Sequence, residues 1–174
     1  RDEGAELTQR QRIQIAEYLT GREYVENALP EEAFCSTRGL DDLDLDAVSW
    51  MGYGGNLGGT GFQPPDRAGL DASSVPELRL AWAFAFPDAS QVRAKPTVVG
   101  DVLLVGGAFG ELLALDAGSG CVRWAFQADA ALRGAVLVGE GGLGQPVAYV
   151  VDFRTTAYAI DLRSGLELWR TRVG

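Results

Sequence analysis

The sequence predicts a mainly β chain: a partial β-propeller of one outer strand and two four-stranded blades, preceded by one α-helix and a linker. Three observations carry that expectation. Glycine fills 23 of 174 positions, which favours tight turns between short strands. Short alternating apolar runs follow one another at hairpin spacing from residue 78 onward. A segment spanning 114–124 recurs at 159–169, an offset of 45.

In chain order, residues 7–20 read as a helix. Thr8 can cap it, Gln11 stands three positions later, Ile13, Ile15, Ala16 and Leu19 form one apolar side, and Gly21 stops it. Residues 26–46 are acidic and weakly patterned, with Asp41, Asp42, Asp44 and Asp46. The Gly and closing Glu of a calcium-binding loop are missing, so a solvated linker is expected. Strands are expected at 78–86, 97–99, 102–105, 112–115, 122–126, 135–138, 147–151, 157–160 and 166–170. Trp82, Phe84 and Phe86 alternate as a half-buried strand should, and core packing is expected of them and of Trp50. The divisions that follow are a helical segment 1–25, a linker 26–49 and a β region 50–174. A chain that opens with Arg1 and stops at Gly174, straight after a strand-like run, reads as part of a longer protein.

Each position of the repeat has a mechanical reason. Asp116 and Asp161 can bond turn amides, with Ser119 and Ser164 in the same turns. Gly120 and Gly165 supply the positive φ such a hairpin needs. Ala114 and Ala159 keep a sheet surface shallow enough for an indole, so Trp124 and Trp169 are expected to staple neighbouring sheets. A period of roughly 40 to 50 residues with four strands per unit is the spacing of propeller blades, which bury both faces only by stacking. Trp82, in phase with the later tryptophans, marks one further outer strand. Its inner strands would come from elsewhere in the full protein, closing the ring by pairing the two ends.

Composition excludes several functions. The net charge is -9 and no Lys/Arg cluster breaks it, which argues against a nucleic-acid partner. No apolar run approaches the roughly 18 residues of a membrane span. Cys35 and Cys121 lie 86 positions apart and form no CxxC pair for zinc or haem. The absence of histidine removes Ser/His/Asp and Cys/His catalysis, His-ligated metals and the usual haem ligand. Chemistry must then come from carboxylates, Arg, Lys or a bound cofactor. Gly139, Gly141 and Gly144 match G-x-G-x-x-G, but Gln145, Pro146 and a strand follow rather than a helix, so a hairpin loop is expected.

The pattern A-x-D-x-x-S-G-x-x-x-W resembles the tryptophan-docking repeat of the pyrroloquinoline-quinone (PQQ) dehydrogenases. Ser119 and Ser164 stand where Thr is usual, and Cys121 and Leu166 replace Lys. Upstream, Trp50, Tyr53, Gly54, Gly55 and Asn56, then 59–64 and 75–82, are similar to the N-terminal opening of that family's propeller, with Gly61 where Arg is common. The subgroup resembled is the polyvinyl-alcohol-dehydrogenase-like quinohaemoproteins, in which a cytochrome c domain precedes the propeller. Residues 7–21 resemble that domain's last helix. The resemblance implies a periplasmic alcohol dehydrogenase with PQQ over the propeller axis and a calcium ion polarising the quinone. Electrons would pass to haem c and on to an acceptor such as a cytochrome. The calcium and haem ligands would lie outside this chain. Non-catalytic propellers that use similar repeats as scaffolds, as the outer-membrane assembly lipoproteins do, are the alternative, and the helix favours the enzyme.

Under that resemblance, PQQ carboxylates need cations. Arg93, Lys95 and Arg133 stand just before the first strands of successive repeats, where propeller side chains approach the central mouth. Solvated loop cations are the plainer alternative. Asp152 and Arg154 resemble a family G-D-x-R stretch, with Val151 in place of Gly, and an internal ion pair is the alternative to a cofactor contact. No catalytic base is assigned and no metal ligand. The adjacent-cysteine disulfide that many alcohol-oxidising members set against the PQQ ring has no counterpart here. The exported setting of the relatives raises a Cys35–Cys121 bridge between linker and first repeat, with two free buried thiols as the alternative.

Overall fold

The computed structural model describes residues 9–21, 29–40, 43, 45, 48–56, 58–87 and 89–174. Leu7, the Thr8 cap and the aspartates Asp41, Asp42, Asp44 and Asp46 lie outside them. Helix α1 (Gln9–Thr20) ends where Gly21 takes a φ of 64° and donates its N–H to the Glu17 carbonyl at 2.8 Å. Ile15 and Leu19, on its apolar side, are exposed. Among the described residues no helix is long and apolar enough to cross a membrane.

The β region forms two antiparallel sheets. The first runs in the order β1 (Val48–Trp50), β2 (Thr97–Val99), β3 (Val102–Gly106), β4 (Glu111–Asp116) and β5 (Val122–Gln127). The second runs β6 (Leu137–Glu140), β7 (Pro146–Val151), β8 (Thr156–Asp161) and β9 (Glu167–Arg172). Each is a meander in which sequence neighbours pair, as hairpin-spaced runs require. Together they form part of a β-propeller.

Both sheets carry the same irregularity. Ala114 faces Trp124 and Leu115 then faces Val122; Ala159 faces Trp169 and Ile160 then faces Glu167. One extra residue on the outer strand therefore sits at the same repeat position twice, a bulge that sharpens local twist.

Two parts of the first sheet depart from expectation. β1 adds a fifth strand, paired antiparallel to β2, that its short sequence gave no period to reveal. Residues 78–86, expected as a strand, join no ladder among the described residues. Trp82, Phe84 and Phe86 nevertheless alternate with exposed neighbours and pack on Val105, Leu113, Leu115 and Val122. The alternation reports one-sided burial, and among the described residues no neighbouring strand completes the hydrogen bonding.

The main core lies between the two sheets, where Leu104, Leu112, Ala114 and Trp124 of the first meet Ala148, Val150, Tyr158 and Ile160 of the second. The opposite face of the first sheet is covered by Leu29, Ala33 and Phe34 together with the 82–86 segment. The solvated linker expected over 26–46 is thus corrected for its described part: 29–40 is a strap across the sheets. Phe34 bridges Val122 in parallel, Cys35 donates its N–H to the Val122 carbonyl at 2.9 Å, and Leu40 donates to the Arg163 carbonyl at 3.0 Å. Leu40, Leu43 and Leu45 reach the main core. Its acidic composition masked these leucines, whose burial offsets the ordering of the segment. Cys35 and Cys121 form a disulfide, with Cα atoms 5.1 Å apart, that fixes the strap to the start of the outer strand.

Candidate functional site

The repeated turns hold two indoles in the same way. Asp116 accepts hydrogen bonds from the Ser119 amide and hydroxyl at 2.9 and 2.7 Å, and Asp161 from the same groups of Ser164 at 2.8 and 2.7 Å. Gly120 and Gly165 have φ of 76° and 74° and donate back to the carbonyls of those aspartates. Trp82 donates its indole N–H to the Ala117 carbonyl and Trp124 to the Leu162 carbonyl, each at 2.9 Å. A Cβ on Gly120 would fall 2.5 Å from the Trp82 ring, and one on Gly165 2.7 Å from the Trp124 ring. The contact therefore requires glycine for space as well as for φ. Ala114 and Ala159 are fully buried, opposite Trp124 and Trp169 on their own sheets. Trp169 lies beside Tyr149 with 47% of its surface exposed. The first turn adds an ion pair, Arg123 to Asp116 at 2.7 Å. The Ser119 hydroxyl first, then Arg123, hold the Asp116 carboxyl down to about 2.

At the other ends of the strands lies a cleft of about 320 Å³. Gln91, Arg93, Phe109, Leu132 and Arg133 line it, from the stretches leading into β2 and β6 and from the β3–β4 turn. The Arg93 guanidinium donates to the Gln91 side-chain carbonyl at 3.0 and 2.6 Å. The Arg133 guanidinium sits 4.1 Å from the centre of the Phe153 ring. Two of the five sequence candidates, Arg93 and Arg133, thus share one cleft. Lys95 is exposed and does not line it, nor does Arg154.

Asp152 is buried and spent on the fold. It accepts from the Arg154 and Thr156 amides at 2.9 Å each and from the Tyr158 hydroxyl at 3.0 Å, so the internal pair with the Arg154 side chain does not form. Tyr158 also accepts from the Asp129 amide at 3.0 Å, tying the β5–β6 connection to the β7–β8 turn. Burial pushes the Tyr158 phenol above its usual value.

Sequence reasoning missed Phe109 and Phe153 as cleft neighbours. Both stand in the turn before the third strand of a repeat, and that shared placement was the available signal. The donor set suits a flat polycarboxylate: two guanidiniums and an amide, with no carboxylate among the described lining residues. Among the described residues no group of three or more Cys, Asp or Glu comes together to hold a metal ion. The chain has no histidine for haem.

The PQQ_2 family model, described as outer membrane protein assembly factor BamB, matches residues 70–174. A polyvinylalcohol dehydrogenase from a Pseudomonas sp is 39% identical over 138 residues, 77% of this chain and 21% of that protein. One from Sphingopyxis sp. (strain 113P3) is 33% identical over 135 residues, 75% of this chain and 20% of that protein. This chain spans about a fifth of the length of both. The crystal structure of BamB from Moraxella catarrhalis aligns at 24% identity over 54% of this chain and 27% of that chain, with a TM-score of 0.45.

Proposed function

This chain belongs to the PQQ_2 family, and on that premise we propose that it forms part of a PQQ-dependent alcohol dehydrogenase of the quinohaemoprotein kind. The observation that carries this reading is the identity of 39% and 33% to two polyvinylalcohol dehydrogenases over three quarters of the chain. The substrate is an alcohol, and by the same kinship a polymer bearing secondary hydroxyls.

PQQ, when bound, supplies an electrophilic quinone that takes a hydride equivalent from the alcohol carbon. Arg93 and Arg133 would hold its carboxylates, since a guanidinium pairs such groups through two parallel N–H bonds. Lys95 and Arg154, exposed on neighbouring loops, raise the local positive potential. Asp152 acts one step back, fixing through Tyr158 and the Leu132 bridge the loop that carries Arg133. Trp124 and Trp169 are tryptophan-docking residues, one against Gly165 and the other toward a further blade. Calcium and haem c would be held by other parts of the full-length protein, which works in the periplasm and passes electrons to a partner acceptor such as a cytochrome. Residues 1–25 end a cytochrome c domain, 26–49 connect it, and 50–174 open the propeller.

The test is dye-linked alcohol oxidation by the full-length protein with PQQ and calcium added. Turnover that depends on both is expected, and none with any primary, secondary or polymeric alcohol would contradict the reading. A non-catalytic scaffold at the outer membrane is the second reading, favoured by the description of the matching family model. A folded full-length protein without turnover would favour it.

A further inference from the structure

The disulfide joins two unlike partners. Cys121 belongs to the repeated turn and stands directly before β5, whereas Cys35 belongs to the strap that crosses the sheet. Both cysteines are partly exposed, and Ser36, Thr37 and Arg38 beside Cys35 are exposed, so a small thiol can reach the bridge from the strap side. The second repeat keeps the serine of this turn, Ser164, but carries Leu166 and Leu168 where the first has Cys121 and Arg123. It forms the same turn and the same bulge without them. The bridge is therefore an addition to the repeat rather than a part of what shapes a blade.

The two sulfurs are also unequal as leaving groups. The Ser119 hydroxyl lies 3.2 Å from the Cys121 sulfur, and while the bridge is closed it donates to Asp116. Asp116 keeps the Ser119 amide at 2.9 Å and the Arg123 guanidinium at 2.7 Å without it, so the hydroxyl can turn to a Cys121 thiolate. A disulfide opens fastest through the sulfur that leaves as the better-stabilised thiolate. We propose that Cys35–Cys121 is a thiol–disulfide exchange site for an external dithiol, which attacks Cys35 and expels Cys121. One thiolate of the dithiol bonds to the Cys35 sulfur as the Cys35–Cys121 bond breaks, and the electron pair leaves on Cys121, held by the Ser119 hydroxyl. The second thiol then attacks its partner sulfur in the mixed disulfide, releases Cys35 and departs as the reagent's own disulfide. The dithiol loses two electrons and two protons, and the cysteine pair gains both.

Opening the bridge loosens a cover. Leu29, Ala33 and Phe34 of the strap are themselves partly buried and lie over Val105, Leu113, Leu115 and Val122. The Cys35 amide still bonds the Val122 carbonyl and Arg123 the Thr37 carbonyl, but water competes for such bonds once the covalent tie is gone. Leu40 stays seated in the main core. The reduced strap therefore moves from its Leu40 end and bares an apolar face of the first sheet, while the seam between the sheets stays closed. None of this rests on the dehydrogenase reading or on the cleft.

The test uses the folded full-length protein, treated with glutathione and then iodoacetamide, with the peptides that carry Cys35 and Cys121 identified by mass. Glutathione is expected on Cys35 and the alkyl group on Cys121. The reverse placement, or a bridge that dithiothreitol leaves closed in the folded protein, overturns the site. Ser119→Ala slows opening by dithiothreitol about tenfold, as loss of a hydrogen bond to a charged sulfur does. Ser119→Thr keeps the hydroxyl and the wild-type rate, and Ser164→Ala, in the turn that has no cysteine, leaves the rate unchanged. A Ser119→Ala rate equal to or above that of the wild type overturns the leaving-group assignment; if that variant does not fold, the mapped adduct on the wild type decides it. After reduction and alkylation, amide exchange over 29–39 quickens on the order of tenfold while β8 is unchanged. Equal exchange in the two forms overturns the loosened cover.

Discussion

Among the described residues, the first sheet is covered on both faces and the second on one. β2 to β5 lie between the second sheet and a layer made of the strap and residues 82–86, with Trp82 seated on the Gly120 turn. In the second sheet the equivalent indole, Trp169, is half exposed, as are Leu137 and Val151. Both sheets carry the same turn, the same glycine φ and the same bulge. The repeat therefore sets the shape of a single sheet, and whether its tryptophan is buried depends on a neighbour that presents a glycine turn.

The sharpest way to break this contrast is to truncate the two indoles. Trp124→Ala should cost about 3 to 5 kcal/mol, as a buried aromatic at a seam does, and Trp169→Ala under about 1 kcal/mol. Urea unfolding measures both, and equal losses would show that position in the repeat matters more than the neighbouring turn. The second difference is the disulfide, which only the first sheet has. Cys35→Ser with Cys121→Ser should cost about 2 to 5 kcal/mol, because the bridge closes a long loop in the unfolded chain. Amide exchange should quicken in β5 and leave β9 unchanged.

A smaller effect comes from the Asp116–Arg123 pair, where the second sheet has Leu168 in place of the arginine. The folded carboxyl is held down to about 2 against an ordinary 3.8. Its stabilisation is therefore complete above the ordinary value and is lost as pH falls from there toward 2. Asp116→Asn should remove about 1 to 2 kcal/mol near neutral pH and flatten the acid limb of a stability–pH curve. The smallest effect concerns the inner turns. Thr155 has a φ of 64° where the first sheet uses Gly110 at 101°. Relieving that left-handed strain with Thr155→Gly should raise stability by up to about 1 kcal/mol, read as a modest rise in Tm.

Much of the fold was legible because period-two burial and turn glycines are local properties. Eight of the nine strands among the described residues lay within two residues of where alternation placed them, as 102–105 against Val102–Gly106 shows. β1 was not legible, since three residues carry no period and its pairing with Val98 and Val99 is long-range. The strap failed for a different reason: the acidic residues of 26–46 drew the linker reading, while Leu40, Leu43 and Leu45 follow no single period. Of the candidates read from their place before a first strand, Arg93 and Arg133 line the cleft. Lys95 shares that place, but its side chain does not line the cleft, a matter of side-chain direction that spacing does not encode. Asp152 looked like a cofactor group from its neighbours in sequence. Only the fold brings Tyr158 and two turn amides onto it.

PQQ binding to the full-length protein, followed by equilibrium dialysis, tests most directly whether the cleft is a cofactor site. Arg93→Gln with Arg133→Gln should weaken binding at least tenfold, since two charge-assisted hydrogen-bond partners of about 1.5 to 3 kcal/mol each are lost. Binding of wild-type strength in that variant would contradict the assignment.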